Sequence, residues 1–179
     1  MKALKEFNIP FVGLKVGEHR FEYEIEQSFF DHFEYTEFND SRLQVYVILN
    51  KKTTLLELNF KISGTVNVNC DLTNEPYDQS IENEFDLVVK FGELYNDENI
   101  DILIIPHGEN EINVQQYIYE LIVLAVPSKR IHPGVKDGSL NSEILEKLEE
   151  LSPRSLEDKD NMSETDPRWD SLKKLLTDK

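Results

Sequence analysis

The chain has 179 residues, of which 39% are hydrophobic, and it carries a net charge of −16. This composition supplies one sizeable core, and the lack of any run of about eighteen apolar residues predicts no membrane-spanning helix. The acidic charge argues against binding to DNA or anionic membranes, because neutralising phosphate requires clustered Lys and Arg side chains.

The acidic side chains are concentrated in the first part of the chain. Residues 1–127 carry 9 basic and 23 acidic side chains, whereas residues 128–179 carry 10 and 12. An acidic body suits either a basic protein partner or simple solubility. The first residues lack the apolar stretch of a secretory signal peptide, so a cytoplasmic location is expected.

Two strands are predicted near the beginning of the chain. Residues 7–11 and 21–25 alternate apolar and polar side chains, the pattern of a strand with one buried face. Pro10 has no backbone N–H to donate, which favours a position at a sheet edge. Residues 26–33 break the period of two and predict a short helix or turn that caps the core.

The most regular pattern in the sequence is residues 53–72, where nearly every second residue is apolar. Residues 41–50 before it and residues 77–91 after it alternate in the same way. The three segments predict an antiparallel meander around a long central hairpin. Gly64 interrupts the apolar row and predicts a bulge or bend.

One more strand and one helix complete the predicted core. Residues 92–99 are predicted to form a polar loop, and the uniformly apolar residues 100–105 a strand. Residues 114–126 place apolar side chains at helical spacing, and Asn113 with Gln116 resembles a capping box. This helix is expected to pack on the sheet as the second layer of the core.

These elements predict an α+β fold with a mostly antiparallel sheet of about five or six strands, one packed helix and a C-terminal helical tail. We expect a core domain at residues 1–135 and a helical, partly flexible tail at residues 136–179. Asn141 is predicted to cap the first tail helix, whose apolar stripe ends at Leu151.

The end of the tail is predicted to be a separate helix. Residues 152–165 are charged and nearly free of apolar side chains, which is typical of a mobile linker. Asp166 can cap a final helix in which Trp169, Leu172 and Leu176 share a face. That face either folds back on the core or binds another molecule.

A basic loop follows the packed helix. Lys129, Arg130, His132 and Lys136 lie in a segment with Pro and Gly and without acidic residues. They either make weak contacts with RNA phosphates or satisfy the negative end of the helix dipole. The candidate interaction surface comprises Lys129, Arg130, His132, Lys136, Trp169, Leu172 and Leu176.

The titratable residues form no recognisable catalytic or metal-binding pattern. Cys70 belongs to the apolar row of the long strand, and no histidine has a partner at a metal-ligand spacing. Glu82, Glu84 and Asp86 form a row on a polar strand face, which is either a solvated row or, with one carboxyl desolvated, an acid–base pair. Without a phosphate loop or a nucleophile motif, neither an enzyme nor a cofactor is expected.

Four segments follow one another in a characteristic order: residues 64–72, a returning strand with Phe85 and Val89, residues 112–127, and residues 166–176. In this order the chain resembles the YceD family, a bacterial and plastid group linked to accumulation of 23S ribosomal RNA. The resemblance implies a non-enzymatic role in large-subunit assembly or rRNA stability. In some genomes such proteins are encoded next to a small basic ribosomal protein, although the resemblance does not say which molecule is touched. We expect a basic ribosomal protein or a pre-large-subunit particle as partner, and the basic loop leaves weak rRNA contact open.

Many members of that family carry a Cys-x-x-Cys pair after the long strand and further Cys or His residues after the helix, which suggests zinc. Here Cys70 matches the first cysteine, Thr73 stands at the second, and His132 is the remaining ligand candidate. Too few ligands are left for a tetrahedral site, so no metal is expected. The chain resembles a Bacteroidetes-like branch that lacks most of the family cysteines.

Two other functions stay open from the sequence. The chain can be a module without a ribosomal role, which binds a small apolar ligand at the helix interface or other proteins in general. It can also be an acid-catalysed hydrolase that uses Glu82 or Glu84. In the ribosomal interpretation, the turn at residues 70–73 and the basic loop are expected to share one end of the sheet.

Overall fold

The computed structural model of the chain describes residues 4–140 and 143–151. These residues belong to two units, one within residues 1–140 and one within residues 141–179. Within the described ranges, no helix has both the length and the apolar character needed to cross a membrane.

The first unit contains the strands β1 (Asn8–Pro10), β2 (Gly17–Glu26), β3 (Asp40–Lys51), β4 (Leu55–Asn69), β5 (Pro76–Gly92), β6 (Asn96–Asn99), β7 (Ile102–Pro106) and β8 (Glu111–Asn113). Its helices are α1 (Gln27–His32), α2 (Gln115–Ala125) and the short α3 (Pro133–Asp137), and a 3-10 turn precedes β1 at Lys5–Phe7. The second unit contains α4 (Glu143–Leu151).

A mixed sheet of six strands forms the body of the first unit, in the order β2-β3-β4-β5-β7-β6. Strands β2, β3, β4 and β5 are antiparallel to one another in succession, β7 runs parallel to β5, and β6 is antiparallel to β7. Strands β1 and β8 form a separate antiparallel pair that contains Pro10. The prediction of an α+β fold with a mostly antiparallel sheet is confirmed.

The alternation along β4 sets which face of the sheet is buried. Seven side chains of the predicted row are nearly inaccessible to water: Leu56, Leu58, Phe60, Ile62, Val66, Val68 and Cys70. The intervening Lys61 and Ser63 are exposed, as the period of two requires. Leu72 was expected in the row but is 37% exposed, because β4 ends at Asn69 and the chain turns before reaching it.

Gly64 permits a close approach of β3 and β4. Pairing continues on both sides of β4 at this position, opposite Leu43 and Ile81, so the bulge is wrong and the predicted alternative, a bend, stays a prediction. Its φ is +148°, and a Cβ atom here would lie 2.3 Å from the carbonyl oxygen of Arg42. Glycine is therefore required by the neighbouring backbone and by the dihedral angle.

The far edge of the sheet differs from the predicted polar loop. Residues 96–99 form β6, whose sequence Asn-Asp-Glu-Asn has no intrinsic preference for a strand. It is extended because it pairs with β7, which lies between β5 and β6 and is therefore uniformly apolar. The three-residue β8 was also missed, since it is defined only by its pairing with β1.

Helix α2 packs on β5 and β4, as predicted. The expected capping box is only half formed: Asn113 Oδ1 accepts the N–H of Gln115 at 3.1 Å, but the amide of Gln116 donates to Glu120 at 2.6 Å. Gln115 instead accepts the N–H of Leu4 at 2.6 Å, which ties the N-terminal segment to the helix.

Helix α1 caps the core with its phenylalanines, as predicted. Phe29, Phe30 and Phe33 are all buried. The ring of Phe33 stacks on Tyr119 of α2 with centroids 4.1 Å apart and an angle of 6° between the planes. Phe30 packs edge-on against Phe38, so α1 and the loop after it close one end of the core.

The predicted first tail helix is present as α4, which is considered by itself. Its apolar side chains Ile144, Leu148 and Leu151 are 45%, 42% and 80% exposed. The predicted cap at Asn141 and all predictions beyond Leu151 lie outside the described residues. The predicted domain boundary at residues 135 and 136 stays a prediction.

Candidate interaction surface

The turn after β4 holds Cys70 in a fixed position. The Cys70 N–H donates to the carbonyl of Glu75 at 2.9 Å, and the Asn74 N–H donates to the carbonyl of Cys70 at 2.8 Å. Asn74 adopts a positive φ of 59°, which reverses the chain before β5. The Cys70 side chain, only 2% exposed, is therefore placed at the end of the buried row.

The loop after α2 binds directly to this turn. The Asp71 N–H donates to the carbonyl of Arg130 at 2.8 Å, and the Arg130 N–H donates back to Asp71 Oδ2 at 2.7 Å. The His132 N–H donates to Cys70 Sγ at 3.3 Å. The two segments share one end of the sheet, as predicted; residues 70–75 and 130–132 are called the junction below.

The junction favours the ionised form of Cys70. Burial raises the pKa of the thiol, but the N–H of His132, the side chain of Thr73 and the N–H groups of Leu72 and Thr73 outweigh burial and lower it to about 7. Burial also raises the pKa of the neighbouring Tyr77, and charges at Cys70 and Asp71 raise it further. The sulfur thus acts as an acceptor at the centre of a hydrogen-bonded turn.

The His132 side chain already makes contacts within the chain, so few of its atoms are left to bind a metal ion. Its Nδ1 accepts the N–H of Gly134 at 2.9 Å, and its ring packs edge-on against Tyr77 with centroids 5.4 Å apart. The His132 N–H donates to Cys70 Sγ, and the Thr73 side chain bonds to the same sulfur. Among the described residues, no three His, Cys, Asp or Glu side chains are grouped so that they could hold a metal ion.

The guanidinium of Arg130 is paired twice. Its Nη1 lies 3.2 Å from Glu37 Oε2 and its Nε lies 3.5 Å from Asp71 Oδ1, while the side chain is 27% exposed. The hydrogen bond to Glu37 raises the pKa of Arg130 despite partial burial. Lys129 is exposed, and Lys136 lies in α3. The predicted basic loop is therefore partly neutralised by carboxylates.

Three predicted surface residues fall outside the described part of the chain. These are Trp169, Leu172 and Leu176 of the predicted final helix. Their role in an interaction surface stays a prediction.

The acidic row on β5 is bonded to β4. Asn59 Nδ2 donates to Glu84 Oε1 at 2.7 Å and to Asp86 Oδ1 at 2.8 Å, and Lys61 Nζ lies 3.3 Å from Glu84 Oε1. The hydrogen bond from Asn59, followed by that from Lys61, lowers the pKa of Glu84. A general acid needs the opposite shift. Glu82 is also exposed on this face.

A groove of about 740 Å³ lies between α2 and the strands β5, β7 and β6. Its apolar lining includes Phe85, Leu103, Ile105, Tyr117, Leu121 and Leu124. The sequence did not predict it, because β6, which forms one wall, is recognisable only from its pairing. One signal was present: Leu124 lies off the predicted apolar stripe of α2 and is 78% exposed. This surface is called the acidic groove, for the carboxylates along its rim.

Comparison with known proteins gives one match. A family model described as "Large ribosomal RNA subunit accumulation protein YceD" matches residues 58–176. The matched range begins at Leu58 in β4 and includes the junction, α2 and the predicted tail as far as residue 176. No curated protein and no solved structure matches the chain.

Proposed function

Because the chain belongs to the YceD family of large ribosomal RNA subunit accumulation proteins, we propose that it is a non-enzymatic accessory factor of ribosome biogenesis. In this role it supports accumulation of 23S rRNA during assembly of the large subunit in the cytoplasm. The observation that carries the proposal is the family match over residues 58–176, which includes most of β4, the strands β5 to β8 and α2.

We further propose that the protein acts mainly through protein contacts, with a basic ribosomal protein or a pre-large-subunit particle as partner. The pairing of Arg130 with Glu37 and Asp71 supports this, because a guanidinium already held by two carboxylates contributes little to binding phosphate. The net charge of −16 also favours a basic partner, because the opposite charges of the two proteins attract each other. Contact with rRNA is then weak and secondary.

Deletion of the gene tests the proposed role directly. We expect the ratio of 23S to 16S rRNA to fall, and a plasmid copy of the wild-type gene to restore it. A copy carrying Arg130→Met should restore the ratio as well, because we expect the ion pairs of Arg130 with Glu37 and Asp71 to stabilise the fold and not to bind the partner. An unchanged ratio in both rich medium and growth stress would remove the proposal.

The mode of contact is tested by capture of the tagged protein with and without nuclease. Ribosomal proteins that stay bound after nuclease treatment support a protein contact. Their complete loss on nuclease treatment would instead indicate that RNA bridges the complex.

A second candidate function is binding of a small apolar ligand, which the acidic groove favours by its volume of about 740 Å³. Native mass spectrometry of the purified full chain tests it, since a bound ligand adds a defined mass. A hydrolase that uses Glu84 as its general acid is disfavoured by the lowered pKa of that residue, and one that uses Glu82 stays a hypothesis. Alanine at both positions would abolish any hydrolytic activity if they catalysed it.

A further inference from the structure

The acidic groove exposes apolar side chains that nothing in the described part of the chain covers. Tyr95, Ile100 and Leu124 line it and are 58%, 79% and 78% exposed. They come from three elements: the loop before β6, the loop before β7, and α2. Apolar surface that is shared between elements and left open is typical of a binding site.

The floor of the groove is fixed by the core. Leu121 of α2 and Leu103 of β7 are buried at its base, and Asn83 Nδ2 of β5 donates to the carbonyl of Leu121 at 3.3 Å. This bond joins the sheet to the helix along the groove. The buried Leu121 and Leu103 belong to the core, so the apolar floor is already formed before a ligand binds.

The rim of the groove is negative. Five of its lining residues are acidic: Glu84, Asp97, Glu109, Glu111 and Glu120. The carboxylate of Glu84 is bonded to Asn59 and Lys61 on the polar face of β5, so the other four give the rim its charge. Glu84 is paired with Lys61, whereas no Lys or Arg in the described ranges forms an ion pair with the other four. Among the described lining residues there is no basic side chain.

The negative field extends into the groove. Burial raises the pKa of Tyr117 to about 12, and the hydroxyl of Tyr95 and the carboxylates of Asp97 and Glu120 add to this increase. Tyr95 donates its hydroxyl hydrogen to Asp97 Oδ2 at 3.2 Å, within the same edge of the sheet. A cation that enters with an apolar group is therefore favoured over a neutral or anionic ligand.

We propose that the acidic groove docks a cationic amphipathic segment of a partner protein, with apolar side chains against α2 and β7 and Lys or Arg side chains at the rim. The proposal deepens the proposed function and rests on it only in assigning the partner to the pre-large-subunit particle. The chemistry of the segment follows from the groove alone: an apolar floor with an acidic rim selects an apolar ridge flanked by cations.

Two other occupants fit less well. A small apolar ligand on the floor would leave Ile100 and Leu124 in water, since both are nearly four-fifths exposed at the rim. A second copy of the chain would bring two acidic rims together, and each copy has a net charge of −16. A cationic segment covers the exposed apolar residues and compensates the carboxylates.

The proposal is tested by titrating the full-length protein with two synthetic peptides. One is a two-heptad peptide of leucine and lysine in amphipathic helical order, and the other has every lysine replaced by glutamate. We expect saturable binding of the lysine peptide, weakened by added salt, and at least about tenfold weaker binding of the glutamate peptide. Equal binding of both peptides, or no binding of either, would overturn the proposal.

Variants at the groove locate the binding site. Leu124→Ser should weaken binding of the lysine peptide by about threefold to tenfold, and the double variant Glu109→Lys with Glu120→Lys by about tenfold or more at low salt. The matched controls are Val16→Ser, at another exposed apolar residue, and Glu22→Lys with Glu24→Lys on β2 at the opposite edge of the sheet. Controls that weaken binding as much as the groove variants would contradict the assignment.

The chain's own tail is the remaining alternative occupant. Trp169 is the single tryptophan of the sequence, so its fluorescence reports on the tail in the full-length protein. If a partner is the occupant, Leu124→Ser leaves the emission of the free protein unchanged. A shift in emission would overturn the proposal and assign the groove to the tail.

Failure of this proposal can be distinguished from failure of the proposed function. The peptide titration concerns the purified protein, and its result does not depend on rRNA. A deletion strain with a reduced ratio of 23S to 16S rRNA, together with no peptide binding, would retain the proposed function and reject the groove as its docking site.

Discussion

The junction and the acidic groove differ in what they leave exposed to water: the junction bonds its polar groups internally, whereas the groove exposes apolar side chains. In the junction the backbone of Asp71 and Arg130 is paired reciprocally, and the Cys70 sulfur accepts the N–H of His132. In the groove, Ile100 and Leu124 are left in water. A turn whose polar groups bond one another supports the fold, whereas apolar side chains left in water are available to a partner.

The electrostatics of the two regions differ in the same way. The Arg130 cation of the junction is held between Glu37 and Asp71, so this residue of the basic loop stabilises the fold, and the predicted RNA contact of the loop stays a prediction. Within the described ranges, the carboxylates of Asp97 and Glu120 in the groove have no paired cation. The sequence pattern directed attention to the basic loop, and the structure directs it to the acidic groove.

Gly64→Ala should have the largest effect, because both regions depend on the β3–β4–β5 meander. The added Cβ would lie 2.3 Å from the Arg42 carbonyl oxygen, at a residue whose φ is +148°. We expect the free energy of unfolding to fall by about 3 kcal/mol or more, from overpacking and backbone strain together. Urea denaturation followed by circular dichroism measures it. Gly13→Ala is the matched control, since a Cβ there meets nothing within 4 Å, and a comparable loss in the control would refute the argument.

The stability of the junction should depend on pH through Cys70. Its pKa in the folded protein is lowered from 9.0 to about 7, so the stabilisation is fully present above about pH 9 and is lost as the pH falls through 7. A shift of about two units corresponds to about 2–3 kcal/mol. The test is the difference in free energy of unfolding between the wild type and Cys70→Ala.

That difference should be larger at about pH 9.5 than at about pH 6, by up to about 2–3 kcal/mol. Using the difference removes the titration of all other groups that the two proteins share. A difference that stays constant across this range would show that the thiol is not ionised in the folded junction.

Arg130→Met should have a moderate effect on the junction. The variant keeps much of the side-chain length but removes both ion pairs, at a site where the arginine is 27% exposed. We expect a loss of about 1 kcal/mol in the free energy of unfolding. Arg42→Met is the control, because the pair of Arg42 with Asp40 has a 3.6 Å separation and an arginine that is 83% exposed. If both variants lose the same stability, the junction pair has no special role.

Leu124→Ser in the acidic groove should have the smallest effect on stability. The side chain is 78% exposed, so we expect a change within about 0.5 kcal/mol. Leu121→Ser on the same helix is the contrasting variant: this residue is 7% exposed, and its loss should cost about 2–4 kcal/mol. A large loss in Leu124→Ser would show that the groove belongs to the core and would remove the contrast with the junction.

The central elements could be predicted because each one shows its own periodicity. The buried face of β4 follows from alternation through Phe60 and Val66, and the buried face of α2 from helical spacing through Ile118 and Leu121. The junction was also predicted in outline, because the order of elements places the turn at Cys70 and the loop at Arg130 at the same end of the sheet. The pairing of Arg130 with Glu37 could not be predicted, since the two residues are far apart in sequence.

The sequence by itself determined the α+β class, the long hairpin, the packed helix and the resemblance to the YceD family, because alternation, helical spacing and motif order are local properties of the chain. Only the tertiary structure decided the strands β6 and β8, the neutralised basic loop and the acidic groove. A short strand exists through its partner, and a groove exists through the distance between elements. Neither the pairing of a short strand nor the width of a groove can be read from its residues before the chain has folded.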